Sequence, residues 1–271
     1  MTSGSGSGFL GFDESEARRT EALYQTPDVV VQRRRVLDVL ALRVGERVAD
    51  LGCGPGLLAL QMAEQVGPGG EIRCIDASVS MLELARRRCA SASWVEVRAG
   101  DVSALPYADA SFDAAVCTQV YEYVPAIDRA LAELYRVLKP GGRALIVDTD
   151  WESCVWHSTD PARMRRVIEA WDRHCPEPHL PRTLAARLGA AGFERPRIDT
   201  VTLINDRCEP DTFSFGVMPL IAAYAKKQDL IPREEAEAWV ADLQALGQRN
   251  EYFFSLTRYL FFARRPALDE T

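Results

Sequence analysis

The sequence predicts an α/β domain built on a largely parallel sheet, and three observations carry that prediction. Between Arg47 and Asp150, short apolar runs alternate with amphipathic ones, the order that parallel strands joined by crossover helices require. The first run ends in a glycine-rich turn, Gly52-Cys53-Gly54-Pro55-Gly56, and a helical pattern starts directly after it. The chain has 271 residues, 47% hydrophobic and 26% charged, which suffices for one large buried core.

Residues 14–42 read as helical, with Pro27 splitting them because proline lacks the amide a helix interior needs. Residues 46–51 (ERVADL) form the first strand, and Leu57–Val66 the helix beyond the glycines. A second strand covers 71–77 (EIRCIDA), followed by a helix over 79–89. The third strand is 94–101 (WVEVRAGD) and the fourth 112–120 (FDAAVCTQV). A helix over 126–138, a KPGG turn at 139–142 and a fifth strand over 143–150 (RALIVDTD) follow. After Asp150 the pattern changes. Helical stretches lie near 160–174 and 181–191, and a sixth strand covers 196–205 (PRIDTVTLIN). Residues 209–248 are again helical, with Met218, Leu220, Ile221 and Tyr224 on an apolar face. The β-rich run over 252–265 (YFFSLTRYLFFARR) is the last strand. The helices inserted between the last two strands suit either a lid over a ligand or ordinary core filling.

Composition narrows the function. The net charge of -7 suits phosphate backbones poorly, so no nucleic-acid partner is expected. The 7 cysteines are odd in number and show no CxxC spacing, which reads as reduced, mostly buried thiols rather than disulfides or metal ligands. The opening MTSGSGSGFLGF is no secretion signal, and no apolar run reaches the ~18 residues of a membrane span. A cytoplasmic location is expected.

The spacing of the turn is G-x-G-x-G. A dinucleotide fingerprint is G-x-G-x-x-G, whose last glycine lets the helix pack closely beside a pyrophosphate. Here Leu57 stands at that place, and Pro55 removes an amide that would face the anion. Three acids accompany the turn. Asp76 ends the second strand, about 20 residues past the glycines, where a carboxylate can take ribose hydroxyls. Asp101 ends the third strand, where it can accept from an adenine amino group. Asp50 precedes the glycines and can face an ammonium group, which dinucleotides lack.

Together VADLGCGPG, CIDAS, RAGDVSALPYADASFDAAVCTQVYEYV and AELYRVLKPGGRALI resemble the class I S-adenosylmethionine-dependent methyltransferases, nearest the ubiquinone/menaquinone-biosynthesis-like small-molecule group. The resemblance covers about residues 47–147 and, more loosely, the chain after Glu21. One glycine motif is weak, but four blocks in the right order at predicted strand ends are specific. The resemblance implies a Rossmann-like seven-stranded sheet in the order 3-2-1-4-5-7-6, the last strand antiparallel, with helices on both faces and a helical lid. It implies S-adenosylmethionine as cofactor, with Asp50, Gly52, Cys53, Gly54 and Gly56 holding the methionine part and Asp76 the ribose. Ala77 and Met81 would flank the adenine, Asp101 and Val102 would meet its edge, and Thr118 and Gln119 would line the methyl-transfer side. In such enzymes the N-terminal helices often close over the cofactor, which would let Tyr24 cover the methionine and Arg33 pair with its carboxylate; Arg33–Arg35 equally suit a solvated helix face. The implied organisation is a tail over 1–20, a single domain over 21–266 and a tail over 267–271. Within the domain, 21–45 would be a helical cap, 46–150 the cofactor core and 151–266 the substrate-side half, including the insertion at 209–248.

Methyl transfer from a sulfonium is an in-line displacement in which the protein mainly aligns the nucleophile and excludes water. Ligands of open α/β sheets bind at the carboxyl ends of strands. That draws attention to Tyr121, Glu122 and Tyr123 after strand four, and to Asp148, Asp150, Trp151, Trp156 and His157 after strand five. His157 is the expected base because imidazole titrates near neutrality; Tyr121 and Asp150 complete the expected catalytic set. His174 and His179 flank a loop at CPEP. Trp151, Trp156, Phe213, Phe215 and Tyr252 are candidates for walling an acceptor pocket. No metal is expected, since CTQV after strand four offers no acidic ligand. The expected reaction moves a methyl group to a carbon or oxygen of a small apolar or aromatic metabolite, in a monomer or homodimer. Three other readings stay open: N-methyl transfer, a nicotinamide-dependent oxidoreductase opposed by Leu57 and Asp101, and cofactor binding without catalysis.

Overall fold

A computed structural model describes residues 14–268; the rest of the expected tails lies outside the described residues. Residues 14–20, assigned to the tail above, instead form most of helix α1 (Glu14–Leu23). Glu14 and Glu16 favour its N-terminal dipole, and Ala17, Thr20 and Leu23 make its buried stripe. Pro27 opens α2 (Pro27–Leu40) at the helix start, where a missing amide costs nothing.

The alternating half follows as expected: β1 (Arg47–Leu51), α3 (Leu57–Val66), β2 (Glu71–Asp76), α4 (Val79–Arg88), β3 (Val95–Ala99), β4 (Phe112–Thr118), α5 (Ile127–Val137) and β5 (Leu138–Thr149). Then come β6 (Val155–Trp156), α6 (Pro161–Trp171), α7 (Pro181–Ala190), β7 (Arg197–Asn205), α8 (Phe213–Lys227), α9 (Arg233–Gln248) and β8 (Phe254–Arg264). The main strands lie in the order β3-β2-β1-β4-β5-β8-β7. Strands β1 to β5 are parallel, and β8 is antiparallel to both neighbours. This is the expected seven-stranded order plus one short strand.

That short strand matters for the site. Strand β6 pairs with Phe254 and Ser255 of β8, whose other edge is already taken there by β7. So β6 resumes β5 along the same edge after a looped-out segment, Asp150 to Cys154. Thr149 stands opposite Arg258 and Val155 opposite Ser255, so the β5 side carries extra residues. Ser153 pins the loop by donating to the Thr257 carbonyl (3.3 Å) and accepting from its amide (3.1 Å). The KPGG turn is likewise a bulge inside β5, where pairing with β4 steps from Phe112–Leu138 to Ala114–Arg143. Gly141 takes φ +77°, which glycine tolerates without strain.

Alternate strand residues face opposite layers, as the pleat requires. Val48, Ile72, Val116 and Leu145 pack with α2, α3 and α4, while Ala49, Ile75, Ala115 and Ile146 pack with α5 and α7. A third apolar cluster joins α6, α8 and α9 to Trp151, Trp156 and Leu23. The 209–248 insertion therefore has a core of its own and reaches the N-terminal helices. All 7 cysteines are free thiols, five of them buried. Among the described residues no helix is long and apolar enough to cross a membrane, and no cluster of three acidic, histidine or cysteine side chains is arranged to hold a metal.

Candidate functional site

The glycine turn crosses the carboxyl ends of β1 and β2, and its amides are already committed. Gly52 and Cys53 both donate to the Ile75 carbonyl (2.7 and 3.0 Å), and Gly56 donates to the Cys53 carbonyl (3.0 Å). Gly54 donates to Asp76 Oδ2 at 2.8 Å. Pro55 has no amide. These five residues keep no N–H for a pyrophosphate, which a dinucleotide site needs. Two of the glycines serve packing: a Cβ on Gly52 would lie 2.2 Å from Val120 Cγ2, and one on Gly56 would lie 2.9 Å from Ala85 Cα of α4. A Cβ on Gly54 would meet nothing within 4 Å. That glycine lines an open cradle.

Asp50 closes the cradle from below. It is 2% exposed, and its Oδ2 has no hydrogen-bond partner. Burial, and then the charge of Asp76, push its carboxyl up to about 7. A buried carboxylate aimed without a partner at an open cradle fits an ammonium group. Asp76 lies at the mouth, with Oδ1 accepting from the Ser78 amide at 2.8 Å. Burial holds its carboxyl above the ordinary range against the pull of the Ser78, Gly54 and Ala77 amides. Ala77 is exposed at the rim, while Met81 and Val102 are buried. Met81 takes its place because Ser78 caps α4 and accepts from the Met81 amide. Asp101 is exposed and turns the chain by accepting from the Ser103 amide at 2.8 Å.

Thr118 and Gln119 sit half-buried just past β4. Gln119 has φ +56°, a conformation uncommon outside glycine and found at functional sites. Its amide donates to the Val147 carbonyl (2.7 Å), and its Oε1 accepts from Thr149 Oγ1 (2.7 Å), which locks β4 to β5. Above the cradle, Arg33 donates to the Tyr24 carbonyl (2.9 Å) and to Gln61 (3.1 Å). Arg88 bonds both the Pro55 carbonyl and Glu21. These contacts strap α1 and α2 across the glycine turn. Burial lifts the pKa of the Tyr24 phenol; Arg258 opposes the shift, and Glu122 and Asp76 add to it. Tyr24 thus lies between the ribose-side acid and a second charged group. Among the described residues no carboxylate pairs with Arg33.

A family model described as a methyltransferase domain matches residues 49–146, from β1 through β5. This part of the chain therefore resembles a methyltransferase domain. The chain is 32% identical over 234 residues to an uncharacterized 37.1 kDa protein in transposon TN4556 of Streptomyces fradiae, covering 84% of this chain and 65% of that one. It is 36% identical over 120 residues to a demethylmenaquinone methyltransferase of Lactobacillus johnsonii, covering 43% of this chain and 49% of the relative. The match therefore spans under two thirds of the first relative and about half of the second. A solved structure of Haemonchus contortus phosphoethanolamine N-methyltransferase 2, with phosphomonomethylethanolamine and S-adenosylhomocysteine, superposes with TM-score 0.63 at 18% identity, covering 94% of this chain and 58% of that one. At that identity the likeness is one of fold.

The catalytic set expected from the sequence does not come together. Tyr121 is fully buried in the layer beside α5, its hydroxyl unpartnered, and burial pushes its pKa well up. His157 is exposed just past β6 and, with Trp156, Met164 and Phe253, lines a surface groove of about 640 Å³. Asp150 begins the looped-out segment and is itself buried, but it pairs toward the surface: Arg182 Nε donates to its Oδ2 at 2.6 Å, and His179 Nδ1 lies 3.0 Å from its Oδ1. Burial raises the Asp150 pKa, but Arg182 and His179 outweigh it and leave the carboxyl below its ordinary value. The bulge after β5 explains this outward turn.

What the fold does bring together is Glu122, Asp148 and Arg258, which are 1%, 0% and 3% exposed. Glu122 Oε2 accepts from Trp151 Nε1 at 3.1 Å. Burial first, and then Arg258 and Trp151 in opposition, set the Glu122 carboxyl at about 7. Burial and Glu122 hold the Asp148 carboxyl far above its ordinary value. Arg258 bonds Gln32 of α2. Glu122 and Asp148 stood among the candidates read from sequence; Arg258 and Gln32 did not. Arg258 is a lone cation inside the apolar run of the last strand, and a buried-strand pattern with a charge in it is the signal that marks it.

Proposed function

We propose that the chain transfers a methyl group from S-adenosylmethionine to a carbon or oxygen of a small metabolite with a largely apolar or aromatic body. The observation that carries this reading is the cradle itself: committed amides that leave nothing for a pyrophosphate, beside the unpartnered, buried Asp50. Asp50 would hold the methionine ammonium, Asp76 the ribose, and the open side of Gly54 the methionine chain. Ala77 and Met81 would flank the adenine, and Asp101 and Val102 would meet its edge. When bound, the sulfonium supplies an electrophilic methyl group that carries its own leaving group. The protein's part is to orient and to dry the site. The α1–α2 strap covers the cradle, and the cluster of α6, α8 and α9 supplies apolar walls through residues such as Trp151 and Phe213.

Residues 46–150 are thereby assigned the cofactor half and 151–266 the acceptor half. A cytoplasmic location and a monomeric or homodimeric state go with the same proposal, and the acidic net charge of -7 supports the absence of a nucleic-acid partner. Calorimetry tests the reading. S-adenosylhomocysteine should bind and NADH should not, and Asp76→Ala should weaken binding about tenfold or more. Binding of NADH without S-adenosylhomocysteine would overturn it. A cofactor-consumption screen against a metabolite extract, with mass detection of products gaining a methylene, then identifies the acceptor.

A further inference from the structure

The buried charges at the carboxyl ends of β4 and β5 are not accounted for by folding. Glu122 Oε1, both carboxylate oxygens of Asp148 and Arg258 Nε all lack partners, although each residue is more than nine-tenths buried. The amides of Glu122 and Val120 lower the Asp148 pKa, but burial and the charge of Glu122 outweigh them. Native proteins rarely leave such groups unpaired unless a ligand or solvent satisfies them.

The charges also fail to balance. There are two carboxyls and one guanidinium. Arg258 is partly occupied, bonding Gln32 and lying over the Phe213 ring at 4.8 Å. The aromatic wall beside Glu122 supplies no second cation. Trp151 meets Trp171 edge-on (5.5 Å) and His174 edge-on (5.1 Å), and Trp171 stacks on His174 at 3.9 Å. Burial holds His174 down at about 4, so its ring is neutral at physiological pH. The guanidinium balances one carboxylate; the second stays neutral only by holding a proton, and an ammonium group beside these rings would supply the missing positive charge instead.

We propose that the methyl acceptor carries a basic amine, held as an ammonium ion between Glu122 and Asp148 beside the rings of Trp151, Trp171 and His174. This rests on the methyltransferase reading above and deepens it by adding a cationic end to the apolar or aromatic body. Tyr24 lies within reach of both acids, since its phenol feels Glu122 and Asp76. The amine serves as the anchor that positions the acceptor. Before it binds, Asp148 keeps a proton and the pair avoids two adjacent buried negative charges; the ammonium takes over that role.

The test is a calorimetric titration of protein saturated with S-adenosylhomocysteine, using three probes of one shape: 2-phenylethylamine, 2-phenylethanol and 3-phenylpropionate. The amine should bind at least about tenfold tighter than the alcohol, and the carboxylate more weakly than either. In Glu122→Gln and Asp148→Asn the advantage of the amine should shrink below about threefold, while affinity for S-adenosylhomocysteine changes by less than about threefold. An amine that binds no better than the alcohol, or does not bind, overturns the inference. So does an amine preference that survives both substitutions. The wild-type comparison stands even if a variant fails to fold. Failure of S-adenosylhomocysteine itself to bind would instead overturn the cofactor reading, so the two failures are told apart.

Discussion

Lowering the pH from 7 to 5 should weaken cofactor binding through Asp50. In the ligand-free protein, burial and secondarily Asp76 lift this carboxyl to about 7. An ammonium partner favours the ionised form, so binding lowers the pKa and expels the proton. A carboxylate whose pKa falls on binding helps above its free value and loses that help as pH drops below it. For a free pKa of about 7, the ionised fraction falls from about one half at pH 7 to about one in a hundred at pH 5, which raises Kd about fiftyfold, or about 2.3 kcal/mol. The α-amino group of the ligand, with an ordinary value of about 7.7–8.0, stays charged across that window. Isothermal titration with S-adenosylhomocysteine at pH 7, 6 and 5 reads the slope. Burial lifts Asp76 as well, so Asp50→Asn is titrated in parallel to isolate the Asp50 part. The variant should bind more weakly at pH 7 and lose affinity less steeply. A flat wild-type profile, or a variant profile as steep as the wild type, refutes the reasoning.

Four further outcomes are expected. Asp50→Asn should stabilise the ligand-free protein at pH 8, because a carboxyl pKa raised on folding costs stability above its folded value; the raised pKa of about 7 bounds the gain at about 4 kcal/mol, and thermal unfolding should show it fading toward pH 4. Gly54→Ala meets no atom within 4 Å but must hold φ +51°, so it should lose about 1–2 kcal/mol of stability and lose S-adenosylhomocysteine affinity as well, since the methyl enters the cradle. His157→Ala and Asp150→Asn should keep methyl-transfer turnover within a few-fold, with Asp150→Asn costing about 1–3 kcal/mol of stability because this buried acid bonds Arg182, His179 and the Glu152 amide; a tenfold fall in turnover in either would return that residue to the catalytic set. Arg88→Ala removes the bonds to Glu21 and the Pro55 carbonyl and should speed dissociation of S-adenosylhomocysteine several-fold in a stopped-flow chase.

The cofactor side was legible because its geometry is local. A strand end, a tight turn and a helix start determine where Asp50, Gly52, Gly54 and Gly56 stand, and parallel pairing of β1 with β2 brings Asp76 to the same edge. The acceptor side was not. Tyr121 and Glu122 are neighbours in sequence, but the short helical turn Tyr121–Tyr123 sends one into the apolar layer and the other against Trp151. Asp148 and Asp150 look equivalent at the end of a strand. The bulge that follows Thr149 leaves Asp148 in the sheet and swings Asp150 out to Arg182. No hydrophobic period marks a bulge of this kind, so the outward-turned acid reads as well as the inward one.

By itself the sequence determined the strand order of the parallel half, the cradle and the donor of the methyl group. The cradle follows from backbone constraints acting over short stretches, glycine in left-handed turns and acids at strand ends; the strand order and the expected methyl donor came from the resemblance of four sequence blocks to a known family. Only the tertiary structure decided which charges face one another. Arg258 on β8, Gln32 on α2 and Glu122 after β4 lie far apart in the chain and share no local pattern. They meet because the antiparallel last strand closes against β5 while α2 folds across it. Burial away from water then makes Glu122, Asp148 and Arg258 act strongly on one another, with Gln32 bonded to the arginine.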